Sequence, residues 1–314
     1  METLQKTTQF NPAVTQPQVD SGTSIMSAFS GDPARRWNLQ RGVRFGRKIL
    51  PRGWGTFLRT TAKHFPSAQL YPAQMKDGDT LYLNLGENMC HDYFYYGELI
   101  YEKFTVEFMK EFLEAGDVCL DVGANLGYLT RLMAKMAGRH GAVHAYEPNP
   151  AAFRLLQANT HDLPQTTLHP LAVGDREGRA TFSITTNGTT SSIGTQVAAK
   201  QTIEVQLNTL DNLAGHLQRI DFVKIDVEGF EFNVMRGGMS LIKNHMPLIY
   251  FEFLDDQANA RKVSIREYES LLTPLGYQLR WVSPNYPFDD LTTSEPAYYV
   301  IAVPNTPRWR SLIN

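Results

Sequence analysis

Asp121-Val122-Gly123-Ala124-Asn125-Leu126-Gly127-Tyr128 stands between an apolar run, VCLDV at 118–122, and a segment whose Leu129, Leu132, Met133 and Met136 recur at i, i+3, i+4 and i+7. A buried strand, a glycine turn and an amphipathic helix in that order is how a doubly wound α/β sheet meets a ligand at the carboxyl edge of a strand. Gly123 and Gly127 permit a tight turn and a close approach of backbone to that ligand. Working outward, VHAYE at 143–147, TTLHPLAV at 166–173, DFVKIDV at 221–227 and LIYFEF at 248–253 read as further core strands separated by helical periodicity. That alternation predicts a mostly parallel sheet covered by helices. Residues 178–210 interrupt it with ATFSITT and TIEVQLNTL around a polar stretch, an inserted β-hairpin. Later, Ser264 and Glu267 form a capping box ahead of a helix carrying Tyr268, Leu271 and Leu272, and YQLRWV and AYYVIAV supply two last strands. Upstream, LYLNL at 81–85 alternates like a strand. A helix is expected from about Leu99 to Leu113, with Phe104, Phe108 and Phe112 near one face and Gly116 at its C-cap.

The chemistry of the loop narrows the ligand. A dinucleotide site places G-x-G-x-x-G against a pyrophosphate. Here the middle position is Asn125, and Asp121 stands two residues before the first glycine. A carboxylate at that point repels phosphates, which argues against a nicotinamide oxidoreductase. It suits a ligand bearing an ammonium and a sulfonium, as S-adenosylmethionine does. Glu147 follows Gly127 by 20 residues, where this fold uses an acid to bind a ribose diol. Asp175, in LAVGD after the third strand, is a candidate partner for an adenine amino group and equally an ordinary turn residue. The cofactor set is therefore Asp121, Gly123, Asn125, Gly127, Glu147 and Asp175.

A second constellation is Lys224-Ile-Asp226-Val-Glu228-Gly229. Extended backbone would put Lys224, Asp226 and Glu228 on one side, and charges on a central strand are costly unless they face a ligand or pair with one another. Glu252, on the next strand, can join them. Transfer to an alcohol is hard for a carboxylate base, because an alcohol proton near pKa ~15.7 lies far above a carboxyl of about 4. Either the acid takes the proton as the new bond forms, or a divalent cation, Mg²⁺ or Mn²⁺, held by the acids lowers the alcohol's pKa. Asp226 is the first choice as base or ligand, Glu228 and Glu252 follow, and Lys224 is an orienting group or a structural ion-pair partner. His144 and His169 sit in strand-like runs and read as packed residues; His91 and His161 lie in polar contexts. GTTSSIGT at 188–195 reads as a lid or as a plain surface loop.

Taken together, DVGANLGYLT at 121–130, YEPNP at 146–150, LAVGD at 171–175, TLDNL at 209–213, KIDVEGFE at 224–231 and FEF at 251–253, with Tyr101-Glu102 ahead of them, resemble the FkbM family of S-adenosylmethionine-dependent methyltransferases. The resemblance runs from about Gly97 to Pro304. It implies a Rossmann-like methyltransferase sheet of seven strands with the last antiparallel, and O-methylation of polyketide hydroxyls, sugars or lipid-linked glycans. It does not identify the acceptor. An N-methyltransferase and a non-catalytic S-adenosylmethionine-binding scaffold are the alternatives.

Composition sets the outer limits. The 314-residue chain carries a net charge of -2, which provides no overall field for nucleic acid. Cys90 and Cys119 are too few for a disulfide framework, the first residues lack a signal-peptide core, and no run of about 18 apolar residues occurs, so a cytoplasmic protein is expected. Residues 1–31 read as a disordered leader, 32–96 as a basic extension and 97–314 as the methyltransferase domain. From Arg35 to Lys63 the extension holds nine basic and no acidic residues. It is either a solvated face or a contact for an anionic substrate or membrane surface.

Overall fold

A computed structural model describes residues 70–98, 102–185, 192–193, 199–253, 263–282, 289–290 and 299–312. The leader at 1–31, the basic residues at 35–63 and all of the 188–195 loop except 192–193 lie outside them. The chain opens with a hairpin of β1 (Tyr71–Gln74) and β2 (Thr80–Leu83), then α1 (Asn88–Tyr96) and α2 (Lys103–Phe112). The sheet begins with β3 (Val118–Val122), α3 (Tyr128–Ala137), β4 (Ala142–Tyr146), α4 (Pro150–Thr160) and β5 (Thr166–His169). An inserted unit follows: β6 (Ala172–Val173), β7 (Gly178–Thr185), β8 (Ser192–Ile193) and β9 (Ala199–Asn208). Then come α5 (Leu210–Ala214), β10 (Phe222–Ile225), α6 (Glu231–Arg236), α7 (Met239–His245) and β11 (Leu248–Glu252). The described chain closes with α8 (Ile265–Leu272), β12 (Tyr277–Trp281), β13 (Asp289–Asp290) and β14 (Tyr299–Pro304).

The main sheet runs β13-β12-β14-β11-β10-β3-β4-β5. Apart from the two-residue β13, its seven strands are the Rossmann-like methyltransferase sheet. β5, β4, β3, β10 and β11 pair in parallel, and β14 is antiparallel to both neighbours. Strand alternation feeds two cores. Phe222, Leu248 and Tyr250 face the one that also holds Phe94, Phe108 and Leu132, while Val223, Ile249 and Phe251 face the one with Leu210, Met235, Leu241 and Tyr268. Both faces are therefore covered, and the carboxyl edge of the sheet is left for chemistry.

Several local expectations change. α2 starts at Lys103 with Glu102 at its N-cap, ends at Phe112 with Leu113 as its C-cap, and leaves Gly116 at φ 94° in the following loop rather than at the cap. TTLHPLAV is not one strand: Pro170 offers no N–H, β5 stops at His169, and β6 pairs instead with β9. The expected hairpin is present as β7 against β9, with β8 and β6 completing a four-stranded sheet. The capping box at Ser264 and Glu267 starts α8. Residues 71–94 share the first core with α2, α3 and β10, so the end of the segment read as an extension packs with the sheet. His91 is buried with its Nε2 2.8 Å from the Leu85 carbonyl, not in a polar setting. His144 and His169 stack on each other, and burial lowers the pKa of both, His169 to about 4. Among the described residues no helix is long and apolar enough to cross a membrane.

Candidate active site

The glycine loop is shaped by what lies behind it. Gly123 (φ 84°), Asn125 (φ 51°) and Gly127 (φ 90°) all adopt left-handed backbone. The N–H groups of Gly123 and Ala124 both donate to the Tyr146 carbonyl, each at 3.0 Å, which folds the loop against the end of β4. A Cβ at Gly127 would come within 2.8 Å of Leu156 Cδ1 on α4, so the second glycine lets α3 and α4 approach. Glu147, just past β4 and buried, accepts from the backbone N–H of Asn125 at 2.9 Å and of Asn149 at 2.7 Å. It ties loop to α4, and burial pushes its carboxyl up to about 7 despite those two donors. Each oxygen keeps a lone pair for a ligand hydroxyl.

Beneath the loop is a buried ionic group. Asp121 is fully buried; Thr130 Oγ1 donates to its Oδ2 at 2.5 Å, and Lys224 Nζ stands 3.3 Å from its Oδ1. Lys224 Nζ also donates to the Gly123 carbonyl at 3.0 Å and pairs with Asp226 Oδ2 at 3.5 Å. Burial acts against the lysine's charge, but Asp121, Asp226 and Glu102 outweigh it and hold its pKa above the ordinary value. Lys224 is therefore the link between loop and acids at the cavity wall, and only 3% exposed.

β10 ends at Ile225, so Asp226 and Glu228 do not continue its alternation. Asp226 follows directly, its N–H bonded to the Val122 carbonyl at 2.9 Å; Glu228 takes φ 57°. Glu231 Oε1 accepts from Val227 and Gly229, both at 3.0 Å, and so fixes the turn that presents them. Glu252, at the end of β11, completes the group: one carboxylate oxygen each from Asp226, Glu228 and Glu252 lie within 4.8 Å of one another. Burial, and the neighbouring acids after it, push the Glu252 carboxyl well up, and its Oε2 is buried without a hydrogen-bond partner.

One cavity gathers these parts. Its wall includes Gly123, Asn125, Gly127, Glu147, Lys224, Asp226, Glu228 and Glu252, so eight of the ten residues singled out in the sequence are brought together. The other two are not. Asp121 lies behind the wall and acts through Thr130 and Lys224. Asp175 accepts from Asn233 Nδ2 at 3.0 Å and pairs with Arg236 at 3.6 Å, so its carboxylate is tied to α6 and is not part of the wall. The cavity also takes residues that sequence reasoning passed over. Phe182 and Ile193 come from the inserted sheet and Phe230 from the turn before α6, forming an apolar side. Tyr93 and Glu102 arrive from the helices that precede the sheet. Only the Tyr101-Glu102 pair left a trace in the sequence, inside the family resemblance.

The donor set fits S-adenosylmethionine. The described wall carries five carboxyl groups (Glu102, Glu147, Asp226, Glu228 and Glu252) and one cation, Lys224, already committed to acids. Such a cavity disfavours phosphates and accepts a ligand with an ammonium, a sulfonium and a ribose diol.

Comparison with known proteins agrees. The pattern of the methyltransferase FkbM domain matches residues 121–279. A hexuronic acid methyltransferase, AglP, of Haloferax volcanii is 31% identical over 143 residues, 43% of this chain and 56% of that protein. A protein-L-isoaspartate O-methyltransferase of Caenorhabditis elegans is 34% identical over 81 residues, 25% of this chain and 36% of that one. The chain thus spans 56% and 36% of the length of these two curated relatives. The crystal structure of methyltransferase FkbM from Methylobacillus flagellatus superposes with a TM-score of 0.41 at 16% identity, covering 63% of this chain and 50% of that one. Since the matched span starts on the acid of the glycine loop, takes in the KIDVEG turn and ends in β12, the chain belongs to the FkbM family of S-adenosylmethionine-dependent methyltransferases.

Proposed function

We propose that the protein methylates the hydroxyl oxygen of a sugar or glycan-linked acceptor. The observation that carries this reading is the placement of Asp226, a part-exposed carboxylate held 3.5 Å from Lys224 at the wall of the cofactor cavity, with Glu228 and Glu252 beside it. The hexuronic acid named for the Haloferax volcanii relative supports a carbohydrate acceptor. A wall rich in carboxylates favours an uncharged hydroxyl acceptor over a phosphodiester.

When bound, S-adenosylmethionine supplies an electrophilic methyl carbon on a sulfonium. The chain has to hold the acceptor oxygen in line with the methyl–sulfur bond and receive its proton. Asp226, paired with Lys224 at 3.5 Å, accepts the hydroxyl proton as the oxygen–carbon bond forms and the carbon–sulfur electron pair leaves with sulfur. Glu252, its carboxyl pushed well up by burial and by the neighbouring acids, leaves its unpartnered Oε2 to orient the acceptor. Phe182, Ile193 and Phe230, also in the wall, limit water in the cavity.

A second reading is favoured by the close grouping of the three carboxylates and the unpartnered Glu252 Oε2. Asp226, Glu228 and Glu252 would then hold a Mg²⁺ or Mn²⁺ ion that activates the hydroxyl. Transfer of isotopically labelled methyl to a panel of sugars and glycans, run with Mg²⁺ and with EDTA, separates the two. Label in an ether linkage that is indifferent to EDTA is the expected result. Loss in EDTA would replace base by metal, and label on nitrogen would end the O-methylation reading.

A further inference from the structure

Glu102 differs from the other acids of the cavity in its origin. It does not stand at the end of a sheet strand but at the N-cap of α2, and its carboxyl reaches the wall from the helical side. The Tyr93 hydroxyl donates to its Oε2 at 2.8 Å. Tyr93, only 2% exposed, packs edge-on against Tyr128 at 5.3 Å, so the donor is itself fixed. Asp121, the acid that the loop sequence offers to a ligand's ammonium, is fully buried and spent on Thr130 and Lys224. The need for an accessible anion near Gly123 therefore falls to another residue, and Glu102 lines the same wall.

We propose that Glu102, oriented by Tyr93, is a cofactor-binding residue that receives the α-ammonium of the methionyl part of S-adenosylmethionine. The proposal rests on the cofactor reading above and adds a contact to it. Burial pushes the Glu102 carboxyl up to about 7; the Tyr93 bond and Lys224 oppose that shift, while Asp226 and Asp121 add to it. Among the described residues, Tyr128, Tyr250 and Tyr299 are further titratable groups coupled to it. The ammonium selects the ionised carboxylate, whose population rises with pH through that value. Affinity should therefore increase between about pH 6 and about pH 8, with a proton released on binding.

Calorimetric titration with S-adenosylhomocysteine and with 5′-methylthioadenosine, which keeps the adenosine and thioether but lacks the amino-acid part, tests this. Glu102→Gln should weaken S-adenosylhomocysteine by about tenfold or more, the effect of losing a charged hydrogen bond. It should leave 5′-methylthioadenosine unchanged and flatten the pH dependence. Tyr93→Phe should show the same selectivity to a smaller degree. Equal weakening of both probes would mean a merely structural role, and no weakening of either would mean no contact; both outcomes overturn the proposal. Wild-type protein that binds neither probe would instead overturn the cofactor reading beneath it.

Discussion

Asp226→Asn should lower methyl transfer by about a hundredfold to ten-thousandfold, the range for losing a positioned proton acceptor, while changing S-adenosylhomocysteine affinity by no more than about threefold. The separation follows from the geometry. The loop's other supports do not use this carboxylate: Lys224 keeps its 3.0 Å bond to the Gly123 carbonyl and its pairing with Asp121, and the Asp226 N–H to Val122 bond is backbone. The amide keeps the shape but cannot take a proton. Single-turnover transfer together with calorimetry on the same preparation measures both halves, and full activity in the variant would remove Asp226 from the chemistry under either the base or the metal reading.

Gly123→Ala should be the most damaging single methyl addition in the cofactor loop. A Cβ there would sit 1.8 Å from the Asp226 carbonyl oxygen, at a φ of 84° that side chains disfavour. Relief requires the ends of β3 and β10 to part, and these are joined by the bond from Asp226 N–H to the Val122 carbonyl. A loss of about 3–5 kcal/mol is expected, lowering Tm by on the order of 10 °C, with cofactor affinity lost as well. Gly116→Ala is the control: its φ of 94° carries the same backbone strain, but a Cβ there meets nothing within 4 Å. It should cost about 1–2 kcal/mol. Equal melting temperatures for the two variants would show that the Gly123 contact is not tight.

The contrast between these glycines marks what the sequence discloses and what it conceals. The strand, turn and helix around Gly123 were legible because local apolar periodicity and turn residues agreed with one another over 118–136. Glu147 and the KIDVEG turn were legible from their offset to that loop. The features that the sequence conceals share a different cause. Asp175 looked available because Asn233 and Arg236, which occupy it, lie about sixty residues later on α6. Asp121 reads as a ligand contact because strand alternation does not reveal that Lys224, from the neighbouring strand, pairs with it. Glu228 was assigned to a face by extending β10, whereas Glu231 turns the chain at once. Tyr93 and Phe182 reach the cavity through packing between units with no periodic relation to it. Position along a strand can be inferred locally; which charge is already paired depends on tertiary contacts.

The central claim is that the cavity at the carboxyl ends of β3, β4 and β10 receives S-adenosylmethionine and not a dinucleotide. Thermal unfolding of the full chain, measured alone, with saturating S-adenosylhomocysteine and with saturating NAD, tests it most directly. At a ligand concentration about 100 times Kd, stabilisation of about 2.7 kcal/mol is expected, an upward Tm shift of several degrees with S-adenosylhomocysteine and none with NAD. A shift with NAD and none with S-adenosylhomocysteine would contradict the account.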